Sequence, residues 1–236
     1  MHPLADRGFA DVAESYERGR PDYPAQAVAL LGLAPGARVL DLAAGTGKLT
    51  RVLRAAGMDV VAVEPQPAMR ARLPGALDGT AEAIPLGDAS VDAATIGDAW
   101  HWFDRARAGD ELARVVRPGG VVAILWQYPT GEGLPDWAPA LGAILAPLRG
   151  EHPAFQQEVA SLDDHPGFEA HTEHAVPFVY ETDRGRYCDF VASMSFVASL
   201  PAGERAEVLR RVGALLPGGR FSVPYETRVW ISRRRN

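Results

Sequence analysis

Cysteine is almost missing from this chain. Cys188 stands alone, so neither an intrachain disulfide nor a paired-cysteine metal site can form, and the thiol reads as a small buried hydrophobe. Lysine is as scarce: Lys48 is the sole example among 24 basic residues, a bias that reads as genomic base composition. No apolar run approaches the length that spans a bilayer, and the first residues lack the hydrophobic stretch of a secretory leader. A cytoplasmic protein with no membrane partner is therefore expected. A surplus of positive charge is missing too. Against 24 Lys and Arg stand 30 Asp and Glu, for a formal charge of -6 and a pI near 5.5, which removes the electrostatic footprint of a nucleic-acid binder. The arginines at 233–235 read as a solvated tail. Repeats and low-complexity tracts are absent, and what remains is 236 residues, 47% of them hydrophobic, enough for one α/β domain with elaborations.

The most informative stretch is VLDLAAGTGKLT, residues 39–50. Val39, Leu40 and Leu42 have the character of a buried parallel strand, with Asp41 set among them. Gly45 and Gly47 let the backbone turn sharply and approach a ligand with no Cβ in the way, and the helix that follows begins with unpaired N–H groups. A second strand ends in Glu64, 23 positions after Asp41. In an open parallel sheet the C-terminal ends of neighbouring strands converge on one crevice. An acid on the second strand, about 20 residues past the glycines, accepts two ribose hydroxyls there. Glu64 fits that role.

Elsewhere, helices are expected over residues 9–18 and 25–31, separated by Arg20, Pro21, Asp22, Tyr23 and Pro24. Then come a strand at 37–42, a helix at 47–56 stopped by Gly57, a strand at 60–63 and a short helix at 67–72. Strands follow at 77–81 and 91–96, and a helix over 111–116 ends before Arg117, Pro118, Gly119 and Gly120, ahead of a strand at 121–126. Such alternation means a doubly wound, mainly parallel sheet with helices on both faces. Beyond Tyr128, prolines at 129, 135, 139, 147, 153 and 166 interrupt helical pieces, as in an inserted segment that covers a ligand. A strand at 175–180, helices at 187–199 and 202–216 and a strand at 221–231 complete the chain, the last two strands antiparallel at the sheet's edge. The division expected within a single domain is an N-terminal helical cap (1–36), a cofactor-binding core (37–128), a covering segment (129–200) and a closing helix and strand (201–236).

DLAAGTGKLT, VEPQPAMR, TAEAIPL, DASVDAATIGDAWHWFD and RPGG, in this order, resemble the class I S-adenosylmethionine-dependent methyltransferases. The likeness spans residues 9–126 and is nearest to the small-molecule group with an AxxYxxxRPxYP signature, to which trans-aconitate methyltransferase is similar. Here that signature is Ala13, Tyr16, Arg20, Pro21, Tyr23 and Pro24. The resemblance implies a Rossmann-like sheet of seven strands with the last antiparallel, and S-adenosylmethionine lying across the strand ends. Carried over by position, Asp41, Ala43, Gly45, Thr46 and Gly47 hold the methionine moiety and Glu64 the ribose. Pro65, Gln66 and Met69 cover one adenine face, Ala81 and Glu82 border its edge, and Asp98 and Ala99 floor the site, with Tyr16 and Arg20 of the cap also on the cofactor side. Ala43 replaces the first glycine usual in this loop, which brings one Cβ toward the methionine pocket.

Methyl transfer needs placement more than acid–base chemistry, because the sulfonium is already activated. Aromatic rings near it add cation–π attraction, and Tyr16, Trp100, Trp102 and Tyr128 are the candidates. His101, between Trp100 and Trp102, stands where an acceptor would meet the methyl group: it is the candidate base, against a reading as a positioning residue. Tyr23, Trp102, Trp126 and Tyr128 are the candidate acceptor-binding residues, and Arg18 and Arg20 could pair an anionic acceptor. Asp163, Asp164, His165, His171 and His174 match no familiar metal spacing, so no metal is expected. The leading reading is transfer of a methyl group to a small molecule, onto the oxygen of a carboxylate or hydroxyl. No Asn/Asp-Pro-Pro-Tyr element follows the fourth strand, which disfavours methylation of DNA bases. A nicotinamide-dependent oxidoreductase would share Asp41, the glycines and Glu64. Thr50 stands where its fingerprint needs a small residue, however, and with Lys48 alone no Tyr-x-x-x-Lys exists. A non-catalytic module that binds S-adenosylmethionine would need no aromatic pocket.

Overall fold

Runs rich in β-branched and aliphatic residues make the strands, and the helices that follow the first three strands are set by Gly47, Pro67 and Asp104. The computed structural model describes residues 12–130, 133–150 and 161–236. Four strands, β1 (Arg38–Leu42), β2 (Asp59–Val63), β3 (Val91–Gly97) and β4 (Val116–Pro129), run parallel in the order β2-β1-β3-β4. β5 (Thr172–Asp183) forms the far edge, and β6 (Arg220–Arg233) lies between β4 and β5, antiparallel to both. The helices are α1 (Ala13–Gly19), α2 (Ala25–Ala29), α3 (Lys48–Ala55), α4 (Pro67–Arg70), α5 (Arg105–Val115), α6 (Ala138–Leu145), α7 (Arg184–Ala192), α8 (Ser195–Ala198) and α9 (Ala202–Leu215).

The mixed sheet has six strands among the described residues, not seven. The strand expected at 77–81 reduces to one parallel bridge, Val63 with Leu77. Pro74 and Gly75 precede it and Asp78 and Gly79 follow, so the chain turns away after a single residue pair. Arg117, Pro118, Gly119 and Gly120 do not separate helix from strand as expected. β4 begins at Val116 and bulges through them, since Val116 pairs with Val91 and Val121 with Ala93. A Cβ on Gly120 would lie 2.6 Å from the Asp92 carbonyl, so only glycine fits there. The helix expected at 187–199 is two. α7 starts earlier, where the Asp183 side chain accepts from Arg186 N–H, and ends where the Ser193 hydroxyl donates to the Phe190 carbonyl. Of the first expected helix, residues 9–11 lie outside the described residues, as does Pro153.

Period-two alternation along β1 sends Leu40 and Leu42 into one core with Ile96, Ile124 and Trp230. Val39 goes to the other face, against Leu49 and Leu53 of α3 and Ala27, Val28 and Leu31 of the cap. Asp41 shares that second face and is only 1% exposed. Its carboxylate accepts from the Thr50 hydroxyl of α3 at 2.5 Å, and the Thr95 hydroxyl of β3 lies 3.4 Å from its other oxygen. A third core, with Leu141, Tyr187, Val191, Val212 and Tyr225, packs α6, α7 and α9 against β5 and β6.

Helix α1 reaches this third layer through a backbone-to-backbone approach. A Cβ on Gly19 would fall 2.1 Å from the Phe190 nitrogen of α7. The Tyr180 hydroxyl donates to the Gly19 carbonyl, and Arg18 donates to both oxygens of Asp189 at 2.8 and 3.0 Å. Gly19→Ala therefore overpacks this seam, and a loss of at least about 1–3 kcal/mol is expected in urea unfolding. An unchanged midpoint would contradict so close an approach.

Burial raises the Asp41 carboxyl from 3.8 to about 7, with the threonine hydrogen bonds opposing the shift. The folded chain thus holds a proton that the unfolded chain has lost between about pH 4 and pH 7, so stability falls as pH rises through that window. Three pKa units correspond to about 4 kcal/mol. Asp41→Asn removes this titration, and its unfolding free energy without cofactor should gain on the wild type by about 2–3 kcal/mol between pH 5 and pH 8. Parallel pH profiles of the two proteins would refute the protonated buried carboxyl.

Candidate active site

Leu42, Val63 and Ile96 are level in the sheet, and just beyond them the three chains turn together at its C-terminal edge. After β1 the backbone is left-handed at Ala43 (φ 56), Gly45 (φ 59) and Gly47 (φ 88). Glycine takes this conformation freely, whereas Ala43 does so at a cost of about 1–2 kcal/mol. The alanine thus keeps the turn that glycine would make. A Cβ on Gly47 would meet Leu73 at 2.6 Å, which keeps that position glycine for packing as well as for torsion.

Glu64 follows β2 and is 5% exposed. Its two oxygens accept from Gly45 N–H at 2.7 Å and Gln66 N–H at 2.8 Å, so one carboxylate ties the glycine loop to the next strand end. Burial raises its pKa and these N–H groups lower it. Asp98, after β3, is also left-handed (φ 51), and its oxygens accept from Gln127 N–H and the Tyr23 hydroxyl, both at 2.9 Å. Desolvation pushes Asp98 up, opposed first by the charge of Arg20. Glu64 and Asp98 thus both border the edge of the sheet beyond β2 and β3, whereas Asp41 lies behind them within β1.

Two cavities open there. The smaller, about 90 Å³, is a slot bounded by Glu64, Pro65, Gln66 and Met69 on one side and by Thr80, Ala81 and Glu82 on another. Tyr16, Ala43, Gly45, Gly97, Asp98, Ala99, Trp102 and Phe103 complete its lining. The larger, about 340 Å³, adjoins it: Tyr16, Asp98 and Trp102 border both. His101, Trp126, Gln127 and Tyr128 line the larger cavity together with Trp137, just ahead of α6, Leu141 and Leu145 of α6, and Tyr187 and Phe190 of α7. The His101 ring lies 5.3 Å from that of Trp126, nearly parallel at 18°, and 4.5 Å from that of Trp102. The Tyr16 hydroxyl is pushed up to about 12 by desolvation, against the lowering charge of Arg20.

Most residues expected on the cofactor side share the slot, and four do not. Asp41 borders only a small void behind the loop, beside Tyr23 and Lys48, because alternation turns it toward α3. Thr46 is 1% exposed and Gly47 caps α3, both behind the turn. Arg20 lines the larger cavity instead. Its guanidinium stands 5.1 Å from the ring centroids of both Tyr16 and Phe190 and donates to the Ser193 hydroxyl at 3.0 Å. Among the expected acceptor residues, Trp102, Trp126 and Tyr128 line the larger cavity, whereas Tyr23 is buried beneath Gly97 and bonds Asp98. Trp100 is buried in the core. Trp137, Leu141, Tyr187 and Phe190 were not foreseen. Their only sequence signal is an aromatic-rich stretch with no motif.

Other expected features take structural places. Arg18 pairs with Glu14 and Asp189. His171 Nδ1 is 2.7 Å from Asp163, and His165 Nε2 is 3.2 Å from Asp110. No group of three His, Cys, Asp or Glu among the described residues could hold a metal ion. No helix among them is long and apolar enough to cross a membrane.

The slot fits an adenosyl group: a buried carboxylate faces it, its walls are apolar, and a Cβ on Gly45 would find no atom nearer than 3.9 Å, so backbone and ligand can approach. A family model described as a methyltransferase domain matches residues 40–124. An uncharacterized methyltransferase of Mycobacterium tuberculosis is 44% identical over 214 residues, spanning 88% of this chain and 85% of that protein. Among solved structures, a protein of Anabaena variabilis, provisionally named a methyltransferase of an antibiotic biosynthesis pathway, superposes with a TM-score of 0.62 at 21% identity. It covers 89% of this chain and 98% of that one. A Haemonchus contortus N-methyltransferase in complex with S-adenosylhomocysteine superposes with a TM-score of 0.53 at 14% identity, over 99% of this chain and 59% of that one. At these identities the two structures bear on fold, whereas the mycobacterial relative bears on family. This chain belongs to the class I S-adenosylmethionine-dependent methyltransferases.

Proposed function

We propose that this methyltransferase receives a small molecule in the larger cavity and methylates it on oxygen, a hydroxyl or a carboxylate. The observation that carries the reading is the junction of two cavities of different lining at Tyr16, Asp98 and Trp102, with His101 on the acceptor side. S-adenosylmethionine, when bound, supplies a methyl group on a sulfonium already activated for displacement. This chain's residues then have to place the acceptor and exclude water, and placement alone can replace roughly 7–11 kcal/mol of barrier.

In this reading Glu64 accepts the ribose hydroxyls with the lone pairs its two loop amides leave free. Pro65, Gln66 and Met69 cover the adenine, Ala81 and Glu82 border it, and Ala43 and Gly45 line the methionine end. Asp98 and the Tyr16 ring offer negative charge and a π face at the junction, where a sulfonium gains about 0.5–2 kcal/mol. Tyr23 acts by holding Asp98, and Arg20 by holding the cap on α7. Residues 1–36 and 129–200 act as cap and cover over the 37–128 core, with residues 201–236 closing the sheet. Supporting a small acceptor over nucleic acid are the net charge of -6 and the enclosed apolar cavity.

Calorimetry with S-adenosylhomocysteine tests the site. Glu64→Ala should weaken binding by about 1.5–3 kcal/mol, the range for a hydrogen bond to a charged group. An unchanged isotherm would remove Glu64 from the ribose. In thermal shift, S-adenosylhomocysteine at about 100 times its dissociation constant should add about 2.7 kcal/mol, and NADH nothing. A shift with NADH alone would favour the oxidoreductase reading.

A further inference from the structure

The larger cavity is chemically one-sided. Its wall is rich in rings: Trp102 after β3, Trp126 and Tyr128 on β4, Trp137 just before α6, and Tyr187 and Phe190 on α7. Its one carboxylate, Asp98, has both oxygens engaged by Gln127 N–H and the Tyr23 hydroxyl. Two arginines also line it, Arg149 and Arg20, and Arg20 is held between the Tyr16 and Phe190 rings and bonded to Ser193. A flexible aliphatic polycarboxylate would bring several charges into this space, and buried charge is costly without matched partners. A flat aromatic acceptor loses little on entering and gains ring contacts on each side. About 340 Å³ exceeds what a single small ring fills and suits a ligand of two fused rings. On the larger-cavity side of the junction the His101 imidazole, parallel to Trp126 and beside Trp102, can take a proton.

We propose, resting on the methyl-transfer reading above, that the acceptor is a planar hydroxylated aromatic of about two fused rings and that its phenolic oxygen is the atom methylated. The oxygen bonds to the methyl carbon as the carbon–sulfur bond breaks, and that electron pair stays on sulfur. The O–H proton passes to His101 and then to water. The products are an aryl methyl ether and S-adenosylhomocysteine.

Gly142 offers a test that spares the fold. Ala138, Leu141, Gly142 and Leu145 all border the cavity, the spacing of one face of α6, and a Cβ on Gly142 meets nothing within 4 Å. Gly142→Leu therefore projects into the cavity while replacing a poor helix former with a good one. 2-Naphthol, tricarballylate and decanoate are titrated into protein saturated with S-adenosylhomocysteine, and each is incubated with S-adenosylmethionine and examined by mass spectrometry. 2-Naphthol should bind at least about tenfold more tightly than the other two and yield its methyl ether. Gly142→Leu should keep its melting temperature and cofactor affinity and lose 2-naphthol binding about tenfold or more. His101→Ala should bind both ligands normally and turn over about 10²–10⁴-fold more slowly. Preference for tricarballylate or decanoate, no 2-naphthol binding to the loaded protein, or an unaffected Gly142→Leu variant would each overturn the aromatic assignment. Failure of the wild type to bind S-adenosylhomocysteine at all would overturn the methyl-transfer reading, and this proposal with it, in the first titration.

Discussion

Parallel registration of β2, β1 and β3 is the constraint on which the site depends. Because Val63, Leu42 and Ile96 are level, the chain leaves the sheet at one height in three neighbouring places. Two exits carry a carboxylate, Glu64 after β2, hydrogen-bonded to the glycine loop, and Asp98 after β3, while Asp41 sits within β1 between them. Such a cluster is unfavourable in an empty protein, since burial raises all three acids. Hydrogen bonds from Gly45 and Gln66 amides, from Thr50 and from Tyr23 and Gln127 offset part of that cost. The same hydrogen bonds fix where these side chains stand before any ligand arrives.

The second constraint is how the cap reaches the added layer. Gly19 brings the backbone of α1 against that of α7, so that Arg20 falls between Tyr16 and Phe190 and on Ser193. Tyr16 then stands where the two cavities meet, and Tyr23, a few residues on, reaches Asp98. One short segment thus links the cofactor end of the sheet with the aromatic wall of α6 and α7. The single substituted position in the turn, Ala43, shows that the backbone path there is held by its surroundings. The left-handed torsion persists although the side chain opposes it.

Sequence by itself determined the cofactor end. A strand, two glycines, a helix and an acid one strand later are a local grammar, and Gly45, Glu64, Pro65, Gln66 and Met69 meet around one slot because short crossovers leave the chain no other path. Only the tertiary structure decided the larger cavity, the number of strands and the true places of Asp41, Arg20 and Tyr23. Arg20 meets Ser193 across 173 residues and Tyr23 meets Asp98 across 75, and no periodicity records such partners. The 77–81 segment has strand-like residues yet makes one bridge, because glycines on either side turn it before a ladder can form. The ring contacts of Trp137 with Tyr187 and of Tyr187 with Phe190 arise from helix packing on β5 and β6. Each ring in isolation reads simply as core, and the packing of whole layers determines which of them face a void.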